Sequence, residues 1–249
     1  MDGTVYLGPK PIPGAAAFIR FLQKENYPFL FLTNNPSADA DYYSKKLNAM
    51  GIDAAPDNIL TAGAATAIYL MEETDWRKVC VLGTPCFENE LRRAGVTLDD
   101  SDPEAVVISF DKTLSYEKLE RACLLLNAGL PYIATNPDRV CPTEYGYIPD
   151  CGAIAALIES ATGRKPHYIG KPSPDFAKMA LLKLGTQAAH TAMVGDRLYT
   201  DMEMARQAGL ASILVLSGET GKNDLNTAAH QPDFVFDSVA ALHQAMATK

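Results

Sequence analysis

Met1-Asp2-Gly3-Thr4-Val5-Tyr6-Leu7-Gly8 ("MDGTVYLG", residues 1–8) opens the chain. An Asp-Gly-Thr turn belongs at the carboxyl end of a buried strand, where glycine permits the sharp bend and short polar side chains bond the emerging backbone. Only a methionine precedes it here, so the fold has to be read from the residues beyond Gly8.

Outward from that turn, short apolar runs alternate with helical patterns. Phe29–Leu32, Val79–Leu82, Val106–Ile108, Tyr132–Ala134, His167–Ile169, Ala192–Val194 and Ser212–Leu216 are continuous, as expected of strands covered on both faces. Ala15–Asn26, Ala38–Met50, Tyr116–Asn127, Cys151–Thr162, Pro174–Leu184 and Asp201–Ala208 carry the three-to-four spacing of helices, and several are followed by glycine, as at Gly51, Gly163, Gly185 and Gly209. The alternation predicts an α/β fold with a mostly parallel sheet and right-handed crossovers. No Gly/Ser-rich linker interrupts it, so a second domain would be an insertion.

Composition bounds the function. The 249 residues are 47% hydrophobic and 21% charged, enough for one large core or two smaller ones. A formal net charge of -8 opposes nucleic acid or an anionic membrane as main partner, though not a small anion. Five cysteines without a Cys-x-x-Cys spacing read as reduced thiols of a cytoplasmic protein. No apolar stretch approaches the roughly 20 residues of a membrane helix.

In parallel sheets ligands sit beyond the carboxyl ends of the strands, so the residues after each run are the candidates. Thr33-Asn34-Asn35-Pro36-Ser37 comes after the first, delivering a hydroxyl and several N–H groups; these residues serve equally as an oxyanion cradle or as a turn cap. Gly170-Lys171-Pro172-Ser173-Pro174 comes after another, with Ser173 and Pro174 starting a helix and Lys171 left at the sheet edge, either to neutralise a phosphate or as a solvated turn. Gly195-Asp196-Arg197-Leu198-Tyr199-Thr200-Asp201 brings two carboxylates to one strand end, suited to magnesium or simply to capping.

Taken in order, the Asp2-Gly3-Thr4 turn, Thr33, Lys171 and Gly195-Asp196 with Asp201 resemble the haloacid dehalogenase superfamily of phosphatases. "FLTNNPS", "ATNPD" (134–138), "PDCGAI" (149–154), "GRKPHYIGKPSP" (163–174) and "VGDRLYTD" (194–201) resemble its capped sugar-phosphate and nitrophenyl-phosphate branch. The resemblance implies a Rossmann-like core over residues 1–62 and 167–249 and an inserted α/β cap over 63–166 that closes on the site. It further implies magnesium-dependent hydrolysis of a small phosphomonoester through an aspartyl-phosphate. In the family pattern Asp-x-Asp-Gly-Thr, Met1 takes the x position, which puts the nucleophile just upstream of Met1 on a first strand not present in this sequence. Asp2 is then the general acid and base. Thr33 and the Asn34 backbone hold the phosphoryl oxygens and Lys171 neutralises them, with Gly3 and Asn35 in the same loops. The metal set is the Asp2 carbonyl, Asp196 and Asp201, the last also orienting Lys171 or a metal-bound water. Asn136, Asp138, Asp150 and Gly152 are the cap's candidates for reading the substrate, or plain turn residues.

The partner expected is a small phosphorylated metabolite, with no nucleic acid, no membrane, and a homodimer left open. A non-catalytic relative that binds phosphate through Thr33 and Lys171 remains the alternative. Cys86 and Arg92 have the spacing of cysteine-dependent phosphatases, but Glu88 and Glu90 between them would repel phosphate, so that stretch reads as a helix start.

Overall fold

The computed structural model describes residues 1–143 and 145–248. The chain forms two compact units: Met1–Leu32, Ala40–Leu60 and Pro172–Lys249 make the first, Thr33–Asp39 and Thr61–Lys171 the second.

In unit 1, Ala192–Gly195, Ala211–Val215 and Phe234–Phe236 form a parallel sheet in sequence order, with Val194 opposite Ile213 and Ile213 opposite Phe234. Phe31–Thr33 pairs with Ile59–Thr61 in a second ladder. Helices Ala15–Lys24, Ala40–Ala49, Pro174–Leu184, Glu203–Ala208 and Val239–Ala247 cover these strands. Helix Pro174–Leu184 begins as the sequence indicates: the Ser173 hydroxyl accepts the Asp175 N–H, Pro174 fills the first turn, and Gly185 ends the helix at φ 64°. The last pattern starts later than expected. Leu198–Met202, including Asp201, winds as a π-helical turn, and the α-helix runs only over Glu203–Ala208.

An apolar cavity of about 340 Å³ lies within unit 1. Met1, Leu30, Leu32, Leu181, Met193 and Leu242 are among its walls. It is flanked by Phe31–Thr33 and Ala192–Gly195, each an edge strand of its own ladder.

Unit 2 holds a five-stranded parallel sheet in the order His167–Tyr168, Tyr132–Ala134, Ala105–Ile108, Lys78–Leu82, Thr97–Leu98. Ala105–Ile108 is buried throughout, which explains its unbroken apolar run. Helices Ala62–Glu73, Pro85–Arg93, Tyr116–Asn127 and Cys151–Thr162 complete the unit, and Val140–Thr143 with Gly146–Pro149 forms an antiparallel hairpin. Cys151 packs fully buried in this core, where burial pushes its thiol up to about 12 and leaves it inert. His167–Tyr168 hydrogen-bonds to Tyr132–Ala134 at the edge of this sheet, and unit 2 extends to Lys171. Strand order reverses between Lys78–Leu82 and Ala105–Ile108, and the crevice such a reversal opens is filled by an ion pair. Lys118 Nζ lies 2.8 Å from Asp111 Oδ2 and also donates to Thr113 Oγ1 at 2.9 Å.

Candidate active site

Two polar clusters stand at strand ends, one in each unit. In unit 1 the Asp2-Gly3-Thr4 turn meets the loop after Ala192–Gly195. Thr4 Oγ1 donates to Asp196 Oδ1 at 3.2 Å across 192 residues of sequence, and the Glu219 N–H donates to Asp196 Oδ2 at 2.9 Å. Asp196 is buried, and that burial, with the Asp201 carboxylate nearby, raises its carboxyl above the ordinary range despite the Glu219 bond. Asp201 Oδ2 accepts the N–H groups of Asp196 and Arg197 at 3.3 and 3.2 Å, closing the loop on itself.

Backbone packs tightly round Asp196. Gly3, at φ 78°, and Gly218 stand so close that a Cβ on either would lie 2.2 or 2.1 Å from Asp196 Oδ2. Ser217 Oγ donates to the Gly3 carbonyl at 2.8 Å, tying the two glycine-bearing loops together. Asp2 itself is exposed, its Oδ1 accepting the Gly8 N–H at 3.2 Å. Sequence patterning does not single out Ser217, Gly218 or Glu219, yet Ser217-Gly218-Glu219 lies just past Ala211–Val215 and falls under the same strand-end rule.

In unit 2, Thr33 Oγ1 accepts the Asn35 N–H at 3.2 Å and Asn35 Oδ1 accepts the Ser37 N–H at 2.9 Å, a pair of side-chain turns. Asn34 Oδ1 accepts the Lys171 N–H at 2.8 Å, while its Nδ2 donates to the Lys171 carbonyl at 2.9 Å and to Asp138 Oδ2 at 3.2 Å. Asn136, fully buried, donates from Nδ2 to the Asn34 carbonyl at 3.0 Å, and its Oδ1 takes the Asp138 N–H at 2.9 Å. Thr33, Asn34, Asn35, Asn136, Asp138 and Lys171 therefore belong to one network or its adjoining turns. Asp150 caps helix Cys151–Thr162, accepting the Cys151 N–H at 2.6 Å; burial, helped by the Asp138 charge, pushes its carboxyl up to about 6. Gly152 is committed to packing, its N–H donating to the Asp138 carbonyl at 2.8 Å and its missing side chain leaving 2.1 Å to the Pro137 oxygen.

Two family profiles cover most of the chain: one described as haloacid dehalogenase-like hydrolase matches residues 1–97, and a second, HAD-hydrolase-like, matches 168–242. Dihydroxyacetone phosphatase of Corynebacterium glutamicum is 37% identical over 242 residues, 97% of this chain and 88% of that one. The chain belongs to the haloacid dehalogenase-like hydrolases. It is a phosphoric monoester hydrolase of that family, as its relatives are: ribonucleotide monophosphatase NagD of Escherichia coli K12 is 34% identical over 97% of this chain and 95% of its own length. The crystal structure of 4-nitrophenylphosphatase from Thermotoga maritima superposes with a TM-score of 0.91 at 44% identity, covering 98% of this chain and 94% of that one. A haloacid dehalogenase-like phosphatase is thus built on the mixed α/β architecture described above.

The donors in unit 1 fit magnesium. Asp196 offers a buried carboxylate whose charge needs a counterion, and the nearby Asp201 carboxylate is a second hard oxygen donor. Among the described residues no group of three or more His, Cys, Asp or Glu is placed to hold a metal ion. Magnesium needs fewer protein carboxylates, since it keeps several waters and takes only one or two of them. No helix among the described residues is long and apolar enough to cross a membrane.

Proposed function

We propose that this phosphatase hydrolyses small phosphomonoesters in the cytoplasm, a sugar phosphate, nucleotide or aryl phosphate, with magnesium and through an aspartyl-phosphate. The observation that carries this is the Thr4–Asp196 hydrogen bond, which sets the Asp2-Gly3-Thr4 turn against a buried carboxylate. The relatives' names span that substrate range, from dihydroxyacetone phosphatase to ribonucleotide monophosphatase and 4-nitrophenylphosphatase.

The attacking carboxylate is that of the aspartate which the family pattern Asp-x-Asp-Gly-Thr sets two positions before Asp2. Attack forms the bond from carboxylate oxygen to phosphorus and breaks the bond from phosphorus to the leaving oxygen, which takes the Asp2 proton. Asp2 then removes a proton from the water that attacks the acyl phosphate, releasing inorganic phosphate and restoring the carboxylate. Thr33 and the Asn34 N–H hold phosphoryl oxygens, and the Lys171 ammonium balances their charge. Magnesium, if bound by the Asp2 carbonyl and Asp196, would supply positive charge to phosphoryl oxygens.

The test assays the purified protein with 4-nitrophenyl phosphate. Turnover that stops with a chelator, returns with magnesium, and leaves a hydroxylamine-sensitive phosphoryl-protein on acid quenching supports the mechanism. Phosphate binding without turnover in that protein would instead make it a binding module.

A further inference from the structure

Asn34 commits its whole side-chain amide to other residues of the chain. Oδ1 takes the Lys171 N–H and Nδ2 gives its hydrogens to the Lys171 carbonyl and to Asp138 Oδ2. The orientation of the amide is fixed by this pattern, because a flipped group would set Nδ2 against the Lys171 N–H and Oδ1 against two acceptors.

The bond pair occurs where strand pairing has ended. Ile169 and Gly170 still donate to the carbonyls of Ala134 and Thr135 at 3.0 and 2.8 Å, but Lys171 is held by a side chain instead. Gly170 makes the approach feasible: a Cβ there would lie 2.6 Å from the Thr135 oxygen and 2.9 Å from Asn34 Oδ1. Asn34 is anchored in turn by its own carbonyl, which accepts from buried Asn136. Lys171 is 8% exposed, so its stem has little freedom once the backbone is fixed.

We infer that Asn34 is a positioning residue for Lys171: its amide clamps the Lys171 N–H and C=O and so sets where the ammonium is presented, while Asp138 and Asn136 hold the clamp. The inference rests on the phosphate role proposed for Lys171 and adds to it a side chain that touches no substrate. A lysine whose backbone drifts by about 1 Å loses much of its value to a phosphoryl group, since preorganisation rather than charge alone makes such contacts effective.

A double-mutant cycle tests it, read as the dissociation constant of inorganic phosphate by calorimetry in the presence of magnesium. Asn34→Ala is expected to weaken phosphate about tenfold when Lys171 is present and less than about twofold in the Lys171→Ala background. Equal losses in both backgrounds would mean that Asn34 meets phosphate directly, and no loss in either would leave the clamp without effect; both overturn the inference. If Lys171→Ala leaves phosphate affinity unchanged, the proposed role of Lys171 falls, whereas a normal Lys171→Ala loss without coupling to Asn34 removes the clamp alone. Should the alanine variant fail to fold, Asn34→Ser serves: it is uncharged, keeps one short polar group, and cannot hold the Lys171 N–H and carbonyl together, so the same cycle is read with the same outcomes.

Discussion

A methyl group on Gly218 would sit 2.1 Å from Asp196 Oδ2. Gly218→Ala must therefore turn the carboxylate away from its present place and, because Asp196 Cβ would lie 2.7 Å from the new methyl group, push the two loops apart as well. The expected outcome is a fall in turnover on the order of tenfold to a hundredfold and a higher magnesium requirement. Steady-state kinetics across a magnesium titration checks this, and an unchanged magnesium optimum would show that Asp196 is not a ligand.

Asp196→Asn keeps the acceptor for the Thr4 hydroxyl and removes the charge. Magnesium should raise the melting temperature of the unaltered protein and not that of the variant, because only a ligand that binds the folded state stabilises it. Equal shifts would move the metal elsewhere.

Lys118 and Asp111 form an ion pair whose side chains are 23% and 0% exposed, at the strand-order reversal of unit 2. Lys118→Ala leaves a buried carboxylate without its cation and should cost about 2–3 kcal/mol in urea unfolding. Lys78 and Asp102, 46% and 84% exposed, provide the contrast. Lys78→Ala should leave the unfolding midpoint essentially unchanged.

Glu90 supplies a pH-dependent term. Its Oε1 accepts from Thr61 Oγ1 at 3.2 Å, Oε2 is buried without a partner, and burial pushes the carboxyl up to about 7. The folded chain then holds a proton that the unfolded chain, with an ordinary carboxyl near 4.5, has released, so stability falls as pH rises from 4.5 to 7. Glu90→Gln should leave stability little changed at pH 4.5 and raise it on the order of 2 kcal/mol at pH 8. Denaturant melts at both values decide it, and a gain of equal size at both would point to packing instead.

Residue periodicity makes much of this architecture legible. Buried parallel strands such as Ala105–Ile108 announce themselves as apolar runs, and helix ends at Gly163 and Gly185 are readable because a left-handed residue there favours glycine. Ala62–Glu73 escapes notice because its small apolar residues show no polar face to mark a period. The pairing of His167–Tyr168 with Tyr132–Ala134 is hidden because a two-residue strand carries no signature of which sheet it joins. At the candidate site, charged residues at strand ends can be named one by one from the chain. Gly218 and the Asn34 clamp cannot, because their significance lies in who stands next to them: Gly218 differs from most other glycines in having Asp196 within a bond's reach of its absent side chain.

The order in which segments contribute to the two units also sets an order of assembly. Most of unit 2 comes from one uninterrupted stretch, Thr61–Lys171, whose sheet can close as soon as that stretch has been synthesised. Thr4 must wait for Asp196, and helix Ala15–Lys24 for Val239–Ala247, so the segments that leave the ribosome first are completed last. At about 5–20 residues per second, the final stretch from Pro172 onward takes on the order of 4 to 16 seconds to make. For that interval the apolar faces of Ala15–Lys24 and Phe31–Thr33 are without their C-terminal partners, so the N-terminal end of the nascent chain is the part most exposed to aggregation while its middle has all it needs to fold.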